Sequence, residues 1–211
     1  MKRFIQLTFQ GIRNQAYYYY PLACALVGIV KLPFFRGGAK KVEIGAGPRA
    51  RVGFVTLDCS LRCDLPWDLR LGLPFKSSSI DLIYAEHVLE HFDHNDLLQL
   101  LRSCFRVLKP GGCLKISVPN VELYVNAYNE KNSSFLSLFC QHKPALHYYS
   151  YVDYLNYMFY MNGEHRTMFD ANNMAEILKA AGASVVSLRE FEPDLDRDIR
   201  KHESLLVVAT K

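Results

Sequence analysis

Acidic, glycine and histidine residues between positions 41 and 91 stand at spacings that chemistry uses. The first group is Lys41-Val42-Glu43-Ile44-Gly45-Ala46-Gly47-Pro48. Val42 and Ile44 favour a short buried strand, which stops at a tight glycine turn. Without a Cβ, such a turn lets backbone amides close on a ligand's polar groups, and Glu43 is placed to accept from an ammonium or hydroxyl. A Gly-x-Gly after a strand is commonly a turn and nothing more, so its meaning depends on the residues downstream of it. Asp58 ends the next strand-like run, Asp68 lies in an irregular segment, and Glu86 comes directly after the apolar run Ile80–Ala85. The ordinary alternative for Asp58 and Asp68 is the capping of turns.

Groups able to move a proton come next. Glu86, His87, His91 and His165 are the candidate bases for an acceptor hydroxyl. Read as a helix, Glu86–Phe92 puts His87 and His91 on one side, a turn apart. Arg166 beside His165 could clamp a carboxylate or phosphate, or simply pair with a neighbouring acid. His87-x-x-Glu90-His91 also matches the inverted zinc-hydrolase motif, for which Glu164 or Glu176 would have to supply the third ligand. That motif leaves the glycine turn and Asp58 unexplained, and no metal is expected.

These residues need a scaffold that brings strand ends together. Val52–Leu57, Ile80–Ala85, Cys113–Val118, Val185–Leu188 and Leu205–Ala209 read as further strands. Asp93 is the expected cap of a helix whose buried face is Leu97, Leu100, Leu101, Cys104, Phe105 and Leu108, stopped by Lys109-Pro110-Gly111-Gly112. Asp170 caps a second helix, with Met174, Ile177, Leu178 and Ala181 on one face and Gly182 at its end. The alternation predicts an α/β fold: a Rossmann-like, mostly parallel sheet of the seven-stranded type with an antiparallel last strand and helices on both faces. Ligands of such sheets sit outside the carboxyl ends of the strands, where the acidic residues converge.

The 211 residues allow one ordinary domain with an extension. The reading is an N-terminal helical extension, 1–37, and a main domain, 38–211, with an aromatic-rich insert, 121–169, over the site's mouth. Residues 4–35 are largely apolar: a helix packed on the domain is the first reading, and a peripheral, interfacial membrane contact the second. A net charge of +4 without a basic run gives no argument for nucleic acid. The six cysteines include no C-x-x-C pair and suit free thiols in a reducing, cytoplasmic setting. Cys59 and Cys63 lack the second pair that a zinc site would need.

In sequence order, four elements resemble the class I S-adenosylmethionine-dependent methyltransferases, type 11-like: Val42–Gly47; Asp58 at a strand end; Leu73-Pro74-Phe75 before Ile80-Asp81-Leu82-Ile83; and Phe105-Arg106-Val107-Leu108-Lys109-Pro110-Gly111-Gly112. The segment Glu86-His87-Val88-Leu89-Glu90-His91 looks most like a small group linked with surface-polysaccharide biosynthesis. The resemblance implies an in-line methyl transfer to a small-molecule or saccharide acceptor, with S-adenosylmethionine as cofactor. By it, Glu43, Gly45, Ala46 and Gly47 would hold the methionine end and Asp58 the ribose hydroxyls. Cys59, Asp68 and Leu69 would lie at the adenine, with Ala85 and Glu86 at the methyl-transfer end. Glu86, His91 and His165 are the catalytic candidates. A non-catalytic cofactor-binding protein is the alternative.

One departure stands out. Arg49 occupies the third glycine position, and too few residues separate Gly47 from the next strand for a crossover helix. A loop, rather than a helix N-terminus, is therefore expected to hold the cofactor's amino-acid end, with residues 4–35 packed where the missing helix would lie.

Overall fold

A computed structural model describes residues 23–35, 40–47, 51–140, 142 and 145–211. Seven strands form one sheet: β1 (Lys41–Ile44), β2 (Val55–Asp58), β3 (Leu65–Pro66), β4 (Ile80–Glu86), β5 (Leu108–Pro119), β6 (Val185–Leu188) and β7 (Ser204–Thr210). Their order is β3-β2-β1-β4-β5-β7-β6. Neighbours from β3 to β5 pair parallel, whereas β7 runs antiparallel to both β5 and β6. The expected mixed sheet is therefore present. The sequence pattern gives no sign of β3: it is two residues long and contains a proline, which an edge strand tolerates.

The helices are α1 (residues 23–31), α2 (His94–Val107), α3 (Val121–Asn129), α4 (Ser133–Phe139), α5 (Val152–Tyr160) and α6 (Ala171–Ala181). Asp93 caps α2 as expected, its Oδ1 accepting from the Asn95 and Asp96 amides at 3.1 Å. Asp170 does the same for α6, accepting from the Asn173 amide at 2.7 Å, and Gly182 ends that helix at φ +117°. Leu97, Leu100, Leu101, Cys104 and Phe105 of α2 are buried, each large apolar side chain contributing about 1.5–3 kcal/mol. By contrast, Glu86–Phe92 forms only a single 3-10 turn, Leu89–His91, because His87 adopts φ +49° and breaks the helical path.

Strand alternation gives the sheet two unlike faces. Val42, Ile44, Leu57, Ile83, Ala85, Leu114, Ile116, Val207 and Ala209 make an apolar face, which packs with α2, α6 and Leu32 in one core. Glu43, Thr56, Tyr84, Glu86, Lys115 and Ser117 occupy the opposite face. Helices on both faces were expected. Among the described residues the helices packed into this core lie on its apolar side, because the β1–β2 and β2–β3 links are too short for crossover helices. Arg51 and the segment 189–203 lie over the polar face instead.

Helix α1 packs beside β3: Cys24, Ala25 and Leu32 are buried, and a Cβ on Gly28 would fall 2.1 Å from the Pro66 carbonyl oxygen. Residues 1–22, which hold most of the apolar N-terminal segment, and Arg49 lie outside the described residues. No helix among the described residues is long and apolar enough to cross a membrane.

The insert has a core of its own, built from Tyr124, Cys140, Ala145, Tyr157 and Met158. Beside it, Tyr148 stacks on Tyr154 with ring centroids 5.7 Å apart.

Candidate active site

The ends of β1, β2 and β4 lie side by side, Ile44 in register with both Leu57 and Ala85. The glycine turn leaves β1 there. Gly45 and Gly47 adopt φ +69° and +63°, which a residue with a side chain rarely does. Gly45 also lets the chain approach Val88, since its Cβ would fall 2.3 Å from Val88 Cγ2, whereas a Cβ on Gly47 would meet nothing within 4 Å among the described residues. The turn's amides differ from expectation. Those of Gly45 and Ala46 donate to the Leu57 carbonyl at 2.8 and 3.4 Å, and that of Gly47 donates to Asp58 Oδ2 at 3.0 Å. They tie β1 to β2 and are already committed when a ligand arrives, so side-chain carboxylates are left as the main polar groups of the crevice.

Glu43 and Glu86 are both buried. Arg51 donates to Glu43 from Nε at 3.0 Å and Nη2 at 3.2 Å, and its Nη2 stands 4.0 Å from Glu86. The same guanidinium donates to the Leu195 carbonyl and lies 4.8 Å from the Tyr84 ring centroid. Arg197 donates to Glu86 from its backbone amide at 3.1 Å and from Nε. Burial raises the Glu43 carboxyl above the usual range, against the opposing pull of Arg51. Asp196 orders this corner: it accepts from the Tyr84 hydroxyl at 2.9 Å and from two Arg189 nitrogens at 2.6 Å. A methyl-transfer base at Glu86 would therefore act from inside an ion pair.

The residues expected at an adenine are close to Asp58 but otherwise engaged. The Cys59 thiol lies 3.5 Å from the Trp67 carbonyl, and burial with the nearby Asp68 and Asp58 charges pushes it up to about 12. Asp68 caps the 3-10 turn Leu69–Leu71 through the Arg70 amide and pairs with the Arg70 side chain at 2.7 Å, which is the ordinary turn-capping alternative for this residue. Leu69 and Ala85 are core residues. All six cysteines are free thiols.

Next to this crevice is a cavity of about 290 Å³. Glu90, His91, His165, Tyr124, Arg200 and Glu203 are among its walls. His91 reaches back toward the crevice, since its charge is among those acting on Asp58. His91 Nδ1 stands 3.0 Å from the Glu164 carbonyl and His165 Nδ1 2.6 Å from the Met158 carbonyl. Burial lowers His165 to about 4, so its imidazole is neutral at pH 7. His87 turns away to the Ser204 hydroxyl at 2.9 Å and faces Glu90 Oε1 at 3.5 Å. The zinc-hydrolase arrangement with His87 and His91 as helical ligands is thus not formed. Of its two candidate third ligands, Glu176 pairs with Lys179 on an exposed helix face, and Glu164 meets His91 Nδ1 through its backbone carbonyl. Arg166 is exposed, and its backbone amide donates to the Glu90 carbonyl at 2.8 Å; the arginine that lines the cavity is Arg200.

Reading residues in sequence missed Arg51, Tyr84, Arg189, Asp196, Arg197 and Glu203. A signal existed for three of them, as the charged connection 190–203 joins the last two strands across the carboxyl ends. Arg51 had none, because its role depends on the short β1–β2 link folding back over the sheet.

A parallel sheet with β7 inserted antiparallel beside β5, and an acidic crevice at the ends of β1, β2 and β4, defines a Rossmann-like methyltransferase. Residues 36–188 match the sequence profile of the methyltransferase domain, and the chain belongs to that family. A probable S-adenosylmethionine-dependent methyltransferase of Mycolicibacterium smegmatis is 40% identical over 57 residues, 25% of this chain, and the match spans 21% of that relative's length. A chain from the Haloferax volcanii complex of the Trm112 methyltransferase activator with a methyltransferase superposes with a TM-score of 0.50 at 19% identity, covering 83% of both chains. A SAM-dependent methyltransferase of Thermotoga maritima gives 0.50 at 17% identity over 97% of both. At those identities the likeness bears on the fold.

Proposed function

We propose that this chain is an S-adenosylmethionine-dependent methyltransferase acting on a small-molecule or saccharide acceptor held in the cavity beside the crevice. The observation that carries the reading is the Gly47–Asp58 hydrogen bond, which fixes a carboxylate at the end of β2 against an open glycine turn one strand from Glu43. This fits the cofactor's parts: a carboxylate for an ammonium at Glu43, another for vicinal hydroxyls at Asp58, and space over Gly47. When bound, the cofactor supplies an electrophilic sulfonium methyl, which the acceptor takes by in-line displacement. The protein's share is to align the acceptor and exclude water, which α3, α4, α5 and the segment 189–203 do by roofing the site. The acceptor's proton leaves into the cavity, whose polar wall holds Glu90, His91 and His165.

The cavity's size suits one ring rather than a long chain, being at the low end for small-molecule sites. Its walls combine the aromatic Tyr124, Phe139 and Tyr157 with carboxylates and imidazoles, a lining that suits a sugar's apolar faces and hydroxyls. Free thiols support a cytoplasmic location. Exposed Leu26, Ile29, Val30 and Phe34 support peripheral membrane contact by the N-terminal segment.

Calorimetry with S-adenosylmethionine, followed by detection of the demethylated cofactor over a panel of sugars and small hydroxylated acceptors, tests the proposal. Micromolar binding and acceptor-dependent product are expected. Binding without product across a broad panel would favour a non-catalytic role, and absence of binding would sink the reading.

A further inference from the structure

The cavity wall holds an arrangement that methyl transfer to carbon, nitrogen or oxygen does not require. Glu90, His91 and His165 each present a ligand atom, and these atoms all lie within 4.8 Å of one another. Both imidazoles are turned by the backbone in the same sense. A carbonyl oxygen only accepts, so His91 Nδ1 facing Glu164 and His165 Nδ1 facing Met158 must each carry the ring proton. The lone pair is then left on Nε2 of both rings, which is how backbone carbonyls orient metal-binding histidines. The rings stand edge to face with centroids 5.1 Å apart.

Glu90 supplies the independent second observation. Its residue is 1% exposed, and its Oε2 is a buried atom without a hydrogen-bond partner among the described residues. Its other oxygen faces His87 Nδ1. Arg200, whose charge acts on Glu90, pairs with Glu203 through Nη1, and its buried Nε has no hydrogen-bond partner among the described residues. An orphaned carboxyl oxygen in a protein interior is costly unless a proton or a cation meets it, and burial raises Glu90 to about 8, so a bound cation would displace its proton.

We infer that Glu90, His91 and His165 form a binding site for a divalent transition-metal ion of the zinc type, with its open coordination position facing the cavity. Two imidazoles and one carboxylate with a vacant place is the ligand set of catalytic zinc sites. Tetrahedral ligands at about 2.1 Å from the ion are about 3.4 Å apart, so the set must close by up to about 1.4 Å, within reach of the half-buried His91 ring. This replaces the expectation that no metal is bound, and it uses a different ligand set from His87 and His91 of the hydrolase motif. The site stands on its own geometry. That the open position receives the acceptor's hydroxyl oxygen, lowering its pKa so that the proton passes to water as the oxygen takes the methyl group, rests on the methyltransferase reading.

The full-length chain, stripped with a chelator, is titrated with zinc alone against a chromophoric competitor and with cobalt for its visible absorption. One zinc per chain, an intense four- or five-coordinate cobalt spectrum, and a weakening of roughly tenfold or more in Glu90→Gln and in His91→Ala are expected. His91 is half-buried and Glu90→Gln is isosteric, so both variants keep the fold testable, with circular dichroism as the check, whereas His165→Ala would empty a buried ring site. Substoichiometric zinc in the unaltered chain, or unchanged zinc affinity in both folded variants, overturns the inference. S-adenosylmethionine binding is measured on the same metal-free protein. Cofactor binding without zinc binding defeats only the metal site, and zinc binding without cofactor binding defeats only the methyltransferase reading.

Discussion

The Gly47 amide donates to Asp58 Oδ2 across 3.0 Å, so the turn after β1 and the carboxylate after β2 hold each other in place. Burial raises the Asp58 carboxyl above its ordinary value, opposed by this hydrogen bond and by the charge of His91. Hydroxyls donating to Asp58 favour its ionised form, so the cofactor-bound pKa lies below the free one. Affinity is then full above the free-state pKa and declines as pH falls through it. Calorimetry between pH 7 and mildly acidic pH should show this decline in the wild type and a flatter profile in Asp58→Asn.

The same shift has an opposite consequence for stability. A carboxylate whose folded pKa is raised opposes folding while ionised, and that cost declines as pH falls through the folded pKa and is gone below the unfolded one. Asp58→Asn is therefore expected to raise the Tm of the cofactor-free protein at neutral pH while weakening cofactor binding about tenfold or more. A variant that loses both stability and affinity would show Asp58 to be a structural cap instead.

Arg51 and Glu43 together present opposite charges at the mouth of the crevice, a complement to an amino-acid zwitterion. If the pair receives the methionine end, Glu43 takes the ammonium while Arg51, still within reach, takes the carboxylate. Arg51→Met should weaken S-adenosylmethionine about tenfold or more, since charge-assisted contacts contribute about 1.5–3 kcal/mol each. An analogue lacking the methionine carboxylate should bind the variant and the wild type alike. Tighter cofactor binding in Arg51→Met would mean that Arg51 merely blocks Glu43.

Gly45 and Gly47 separate folding from binding. Gly45→Ala strains φ +69° and drives a methyl group to 2.3 Å from Val88, so a loss of more than about 2 kcal/mol is expected, partly restored by adding Val88→Ala. Gly47→Ala meets no atom of the described residues within 4 Å and should cost about 1–2 kcal/mol from backbone strain, yet reduce cofactor affinity by narrowing the crevice. Urea unfolding and calorimetry on the two variants check the contrast.

Much of the sheet was legible because the strands other than β3 contain a short β-forming run, and both main helices because Asp93 and Asp170 announce their first turns. Strand β5 runs back through Lys109-Pro110-Gly111-Gly112, which reads in sequence only as a helix stop. The crevice was legible as a convergence of strand ends. Its occupants were not. Periodicity says nothing about Arg51, which pairs with Glu43 only because the β1–β2 link folds back over the polar face. The segment Glu86–Phe92 misled for a local reason: the positive φ at His87 removes the helix that would have placed His87 beside His91, and Glu90 is aligned with His91 and His165 instead. His165 reaches that cluster through the chain that returns from the insert, whose path no local pattern encodes.

The Tyr124 hydroxyl donates to Glu203 Oε2 at 2.9 Å, joining the insert's first helix to the start of β7 beside the cavity. Both residues are buried, and Glu203 also receives Arg200. Tyr124→Phe keeps the ring's packing but removes the donor, so a loss of about 1–3 kcal/mol is expected in urea unfolding. Glu203→Gln should cost at least as much, because its one amide oxygen cannot accept from both Tyr124 and Arg200 and its NH2 is left against a donor. Glu203→Leu should cost about 3–5 kcal/mol, because it leaves Arg200 half-buried without its carboxylate. Cofactor affinity should stay within about twofold in Tyr124→Phe, since the hydroxyl lies in the cavity and not in the crevice, whereas the KM for the acceptor should rise as the roof loosens. A KM unchanged alongside a weakened fold would make the contact purely a staple between insert and sheet.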